Sequence, residues 1–433
     1  SIVLMKTSSL NLRQHAVITG IALSGVGAIG NFTPVSALTF NFNPASGTSQ
    51  QAIDGFTAAG ALWSAKLTNN VNVNIDINFA TLGTNILAQA SSTRQNFNYN
   101  NVYTALSIGQ TSTDDRAAVA SLPIGSFNML LNRTSTNPNG SGSATPYLDN
   151  NGSANNSNIN ISQANAKALG LINGATAPIM SNILMARGNN GVIIGPNITT
   201  VAGGSTVINQ IVPQNSAITT VLATGADASI TFSNQYTYTF DFNRNGTIAA
   251  NSYDFVGLAT HEIGHALGFT SGVDVLDVNS PPTKLFTEDQ LAYVNTLDLF
   301  RYSTDSQKVG AIDWTADTRD KYFSLDGGVT KLASFATGVT YGDGQQASHW
   351  KDNLGLGVMD PTAATGEKLV IAENDLRAFD VIGWNRANVT ATAVPEPADF
   401  LGTFMFAAFT AELVFKRRQK LFKSTAKAAT EAA

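Results

Sequence analysis

The chain has 433 residues, of which 13% are charged, with a net charge of −5 and no cysteine. A chain of that length can bury a sizeable core without disulfide staples. An acidic body with no basic stripe argues against nucleic acid as a partner, and the abundance of asparagine, serine, threonine and glycine agrees with export.

The first segment reads as a targeting sequence. Lys6 and Arg13 form a basic start after Met5, residues 16–30 are apolar and small, and Val35-Ser36-Ala37 offers a small-residue cleavage site. Residues 1–37 are therefore expected to be a secretory signal peptide, which removes His15 from the candidate ligands. A membrane anchor is the weaker alternative, because the apolar run is shorter than the roughly 20 residues a span needs.

Residues 38–390 could form two domains on length alone, but a single catalytic unit of two lobes is preferred. Gln51–Leu67 has helical spacing, with Ile53, Phe56, Ala59, Leu62 and Trp63 on its apolar side. Val71–Phe79 alternates apolar and polar residues with period two, which predicts a half-buried strand. Residues 132–160 turn to asparagine, serine and glycine, with Asn139-Gly140 and Asn151-Gly152 as turn signals, and read as an exposed loop or small insertion. Ser162–Leu171 suits a serine-capped helix, and Ser229–Phe242 suits one or two strands, one of them expected to edge the cleft. Asp241-Phe-Asn-Arg-Asn-Gly-Thr-Ile248 matches the first half of a calcium loop, but its twelfth position is Ser252 instead of glutamate. A polar turn leading into the next helix is the stronger reading there, and Ca²⁺ the second one. Leu297–Tyr302 is expected to be a strand in an inserted piece, and Glu373–Trp384 a closing helix.

The most informative stretch is His261-Glu262-Ile263-Gly264-His265. Residues four apart share one face of a helix, so both imidazoles can turn a nitrogen to one cation. Glu262 then sits beside the metal without ligating it, where it can take a proton from an activated water and hand it to a leaving amine. Ser252 or Asp254 can cap this helix, and Gly268 suits its stop. A zinc site needs at least three protein ligands. The histidines are His15, His261, His265 and His349, so His349 is the leading candidate for the third, with Asp274 and Asp277 as fallback ligands.

His-Glu-x-x-His-x-x-Gly followed by a later methionine turn resembles the metzincin clan of zinc peptidases. The compact form of that pattern places a third histidine where this chain has Ser271. The leishmanolysin-like branch has a long insertion before its third histidine, and Ala347–Pro361, carrying His349 and Met359, looks like its counterpart. The resemblance implies that Met359 forms a hydrophobic floor beneath the metal. It also implies an α+β fold: a two-lobed zincin whose active-site helix lies between a mixed-sheet N-terminal lobe, about 38–268, and an irregular C-terminal lobe, about 269–390. The tyrosine that some metzincins carry two residues after the methionine is missing here, which leaves the oxyanion-stabilising group open.

Residues 394–433 hold Val394-Pro-Glu-Pro397, an apolar stretch from Phe400 to Phe415 interrupted by Glu412, and the basic cluster Lys416-Arg-Arg-Gln-Lys420. This tail resembles the PEP-CTERM sorting signal of Gram-negative bacteria, which implies an exosortase-type membrane enzyme as a partner and delivery to the cell surface or matrix. A plain tail anchor is the alternative. The expectation for the whole is an exported zinc endopeptidase acting on proteins or peptides, with His261, His265 and His349 on Zn²⁺ and Glu262 as general base. A catalytically silent matrix protein and a zinc hydrolase of a non-peptide substrate are the competing readings.

Overall fold

The computed structural model describes residues 38–172, 225–235, 239–279 and 285–387, together with the backbone of three short strands, β7 (Met180–Ser181), β8 (Ile198–Thr200) and β9 (Thr206–Ile208). The expected signal peptide at 1–37 and sorting tail at 394–433 lie outside the described residues. Among the described residues no helix is long and apolar enough to cross a membrane. The protein is of mixed α+β class, as its sequence implied.

Its main sheet runs β1 (Thr39–Pro44), β2 (Asn72–Ala80), β10 (Ala228–Ser233), β3 (Ala88–Asn98), β6 (Asn158–Ser162), with β7 also paired to β3. The first three strands are parallel, and β3 is antiparallel to both neighbours. The period-two pattern of β2 works as read: Val73, Ile75 and Ile77 are buried while the residues between them are not. The Ser229–Phe242 stretch gives β10 and the short β11 (Phe240–Asp241), which pairs with β12 (Tyr253–Asp254). Contrary to expectation β10 is internal, flanked by β2 and β3.

Against this sheet packs α1 (Gln50–Ser64), capped by Ser49, and under it lies α6 (Phe255–Leu267), whose residues are all buried. Phe255 joins them to the sheet through a cluster with Phe56, Phe79, Phe232 and Phe242 at ring separations of 4.3–6.3 Å. Because α6 has no solvent face, its spare carbonyls need protein donors. Trp384 Nε1 supplies one, donating to Leu267 O in the last turn, and Trp63 Nε1 donates to Thr260 O in the middle of the helix, each at 2.9 Å. Of the two expected caps, Asp254 acts, its carboxylate accepting from Gly257 N at 2.9 Å. Gly268 ends the helix with φ of 116°, a left-handed conformation that costs glycine little.

Helices α2 (Tyr99–Ile108) and α3 (Thr113–Ser121) follow β3. Residues 132–160 differ from the expected exposed loop. Asn132, Asn137, Asn155, Asn156 and Asn160 are buried, and the amide of Asn132 bonds Ala144 O, Ala316 O and Ala316 N. Here β4 (Met129–Leu131) pairs with β5 (Tyr147–Asp149) and, from far along the chain, β14 (Ile312–Asp313). Asparagine serves as an internal bridge for loop backbone, a role its composition alone does not reveal. A short α4 (Ala154–Ser157) precedes β6, and α5 (Gln163–Ala168) starts at the expected Ser162 cap.

After α6 the chain is mostly irregular: α7 (Val273–Asn279), β13 (Arg301–Tyr302), α8 (Thr304–Lys308), β14, β15 (Lys321–Phe323) and β16 (Ala333–Phe335). The strand expected at Leu297–Tyr302 is a 3₁₀ turn over Leu297–Phe300 running into β13, because Asp298 turns inward to accept backbone and side-chain donors instead of alternating outward. The closing helix is α9 (Glu373–Val381).

Where α9 meets α3, Ser112 Oγ donates to one oxygen of Asp380 at 2.6 Å, and the other oxygen has no hydrogen-bond partner among the described residues. Burial, with the nearby Asp115 charge, pushes the Asp380 carboxyl up from 3.8 to about 7. The folded state therefore holds this proton more tightly than the unfolded chain, and the contribution to stability falls as pH climbs from about 4 to about 7. Urea unfolding is expected to show a loss of up to about 4 kcal/mol over that window from this group. Asp380→Asn should flatten the slope; an unchanged slope would rule out the assignment.

Candidate metal centre

Helix α6 carries His261 and His265 on one face, one turn apart. His349 arrives on the segment between β16 and α9, which is fixed on both sides: Ala336 N donates to His349 O at 3.0 Å, and Trp350 N to Met359 O at 3.0 Å. The three Nε2 atoms converge to 3.0 Å between His261 and His265, 3.1 Å between His265 and His349, and 3.3 Å between His261 and His349.

The opposite ring nitrogens show what the convergence means. His261 Nδ1 is 2.7 Å from Val358 O, His265 Nδ1 2.8 Å from Phe269 O, and His349 Nδ1 3.3 Å from Gln346 O. A carbonyl only accepts, so each Nδ1 carries the proton and each Nε2 is left as a lone pair. Burial lowers the His261 ring to about 4 and the His265 ring to about 3, which keeps both neutral at physiological pH. Three lone pairs facing one another repel unless a cation lies among them. A tetrahedral ion bound at about 2.0–2.1 Å holds its nitrogens about 3.3–3.4 Å apart, close to the triangle observed. The three histidines form a group that can hold a metal ion.

Beside them, Glu262 is 5% exposed and its carboxylate has no hydrogen-bond partner among the described residues. Burial pushes its carboxyl up to about 8, which makes the ionised form basic, and a cation held by the three histidines would favour that ionised form. Glu262 and the three histidines line a cleft of about 300 Å³. Its roof is β3 from Ala88 to Ser92: β10 pairs with one side of this stretch, while β6 joins the other side only from Arg94 onward. That outer side has no strand partner among the described residues. By the start of α6 the cleft lining includes Leu258 and Leu369, whose N–H donates to the capping Asp254, and past the end of α6 it includes Arg94, which donates to Thr270.

Met359 is fully buried against α6, at Gly264. A Cβ there would lie 2.4 Å from Met359 Sδ, so glycine in the middle of the motif lets the methionine pass directly beneath the helix. The fallback ligands are not brought to the site. Asp274 accepts from Ala347 N at 2.6 Å and from Ser348 N and Oγ, and Asp277 accepts from Thr340 N and Tyr341 N. Ser271, at the position of the compact pattern's third histidine, braces the segment that replaces it by donating its N–H to Ser348 Oγ at 2.8 Å. At the calcium-like loop, Asp241 accepts from Asn243 N and Ala249 N at 2.9 Å, the bonds of a polar turn.

Sequence reasoning missed the residues that hold the ligands in place. Asp274 ties down the approach to His349. Asp375 accepts from Val358 N at 2.8 Å, Met359 N at 3.3 Å and Trp350 Nε1 at 2.8 Å, and so fixes the peptide whose carbonyl orients His261. Both are buried, which raises Asp274 to about 7 and Asp375 to about 6. The one local signal is that Asp375 accepts from Ala372 N at 2.7 Å, the reciprocal half of a capping box, at the third position of α9.

Compared with protein-family models, with curated proteins and with solved structures, the chain matches none. The chemistry of the site is read from its own residues.

Outer partners of metal ligands usually contribute 10–100-fold to affinity. Asp274→Ala, which frees the His349 segment, and Asp375→Ala, which frees Val358, are each expected to weaken Zn²⁺ or Co²⁺ binding by about 10–100-fold. Competition against a chromophoric chelator measures this, and wild-type affinity in both variants would remove these aspartates from the account.

Proposed function

We propose that the protein is a zinc-dependent endopeptidase, a two-lobed zincin of the metzincin type, in which His261, His265 and His349 hold Zn²⁺ and Glu262 is general base and acid. The observation that carries this reading is the convergence of three Nε2 atoms beside a buried carboxylate with no hydrogen-bond partner among the described residues, in a cleft roofed by a strand edge that pairs with no strand among those residues.

Three imidazole nitrogens suit zinc, and a three-ligand set leaves a position for water or substrate, as catalytic zinc sites do. When bound, the ion supplies Lewis acidity, bringing a water's pKa toward about 7 and polarising the scissile carbonyl. The remaining work belongs to the chain. Glu262, next to His261 on the same turn, accepts the proton of the attacking water and returns it to the leaving amine. Its burial favours the proton-accepting role by making the free carboxylate costly.

The outer side of β3 from Ala88 to Ser92 offers backbone groups on which an extended peptide can add as a further strand, which holds substrate with little demand on its sequence. The cleft lining at Leu258 and Leu369 suits a hydrophobic side chain. Export through the N-terminal segment and sorting through the C-terminal tail, at the surface of a Gram-negative cell, complete the proposal on the strength of residues 1–37 and 394–433.

The test compares the full chain with Glu262→Ala, with metal content by elemental analysis and cleavage of an unfolded protein followed with and without chelator. About one zinc in both proteins is expected, with proteolysis in the wild type abolished by chelation and lowered at least about 10²-fold by the substitution. Bound zinc without cleavage of any offered polypeptide would refute the peptidase reading, and no zinc would refute the metal site.

A further inference from the structure

One buried charge in the cleft is unused by the chemistry above. Arg94, on β3, is 7% exposed. It lies on the same face of the strand as Ala90 and Ser92, turned toward α6, and lines the cleft end opposite Leu258 and Leu369. Its Nε donates to Asn160 Oδ1 at 2.7 Å, its Nη2 to Asn160 O at 2.8 Å and to Asn295 Oδ1, and its Nη1 to Thr270 Oγ1 at 3.2 Å.

Every one of these acceptors is neutral. The carboxylate that acts on Arg94 electrostatically, Asp298, forms no ion pair with it. Its oxygens are taken by Ser271 Oγ, Gly272 N, Asn295 N and Trp314 Nε1 at 2.6–3.1 Å. A guanidinium has five N–H donors. Four are placed, and the fifth, on the nitrogen that reaches Thr270 in the cleft wall, has no acceptor among the described residues. Ser92 and Gln346, which also line the cleft, make no side-chain hydrogen bond among the described residues.

A charge this buried, with no direct ion pair among the described residues, is costly. Burial lowers even this guanidinium to about 10, and it stays charged at neutral pH. If Arg94 served only to staple β3 to β6 and to the end of α6, a neutral donor would do so at lower cost. The site instead matches what a buried carboxylate ligand needs: an oriented guanidinium with a spare donor, in a cleft also lined by the Ser92 hydroxyl and the Gln346 amide.

We infer that Arg94 is a specificity-determining residue that receives a carboxylate of the substrate, either an acidic side chain or a free C-terminus, so that the cleft selects an anion at one end and an apolar group at the other. This rests on the peptidase reading.

The test uses the full metal-loaded chain and fluorescence-quenched peptides in which glutamate replaces glutamine at each position in turn, with each peptide made as C-terminal acid and amide. At one position, or for the free terminus alone, kcat/KM is expected to rise at least about tenfold over the neutral counterpart; an internal position identifies a side-chain carboxylate, and the terminus alone identifies an α-carboxylate. The ratio should fall below about twofold in Arg94→Gln and be partly restored in Arg94→Lys, a pattern that a purely structural arginine would not produce. Ratios near one throughout in the wild type, which needs no variant to fold, overturn the inference while leaving the peptidase reading in place; so does a ratio unchanged in Arg94→Gln. Failure to cleave any peptide or unfolded protein would overturn the peptidase reading, and this inference with it.

Discussion

The site depends on the tautomer of three imidazoles. Each ring gives its Nδ1 proton to a backbone carbonyl, those of Val358, Phe269 and Gln346, and thereby commits Nε2 to a lone pair pointed at the other two. Much of the surrounding structure holds those carbonyls where they are. Phe269 O is fixed by the left-handed stop at Gly268, Val358 by Asp375, and the Gln346 turn by Asp274 acting on the next two residues.

This arrangement explains why so many carboxylates are buried in a chain with few charges. Asp254 caps α6, Asp274 and Asp375 anchor the two ends of the His349–Met359 segment, and Asp298 gathers Ser271, Gly272, Asn295 and Trp314 at the exit of the helix. Each accepts two or more donors, which offsets the desolvation that burial imposes. Irregular backbone has no ladder in which to satisfy its N–H groups, and between α6 and α9 these aspartates take the place of one. The same need explains the buried asparagines at 132–160 and the indole of Trp384 at the end of α6.

The legible parts of the sequence were those set by local spacing. His261, Glu262 and His265 are read from helical periodicity, β2 from alternation, and α1, α5 and α9 from spacing and caps. His349 was reachable by counting the available ligands and by the resemblance of its segment, not by local spacing, because what brings it to α6 is the docking of a distant segment. The roof of the cleft was not legible. Strand β3 reads Ala-Gln-Ala-Ser-Ser-Thr-Arg-Gln-Asn-Phe-Asn, small and polar with almost no apolar alternation, since one face carries Arg94 and the other meets polar neighbours on β10. The roles of Asp274 and Asp375 were equally hidden: a carboxylate after a helix reads as a ligand or a solvated charge, and the N–H groups it accepts from can be more than 70 residues away, as at Ala347.

The three ligands differ in how local their support is. His265 is oriented by Phe269, within its own helix end, whereas His261 leans on Val358, 97 residues along the chain, and His349 belongs to that distant segment itself. Helix α6 alone can therefore offer only a weak two-nitrogen site, and a third nitrogen is present only while the 347–359 strap is docked on it. Residence of an ion at these histidines would then be governed by the docking of that strap, because a single local opening would remove one ligand and the orientation of a second together. Capture and loss of an ion would be properties of a folding unit about a dozen residues long, and an ion bound there would in turn fasten the strap.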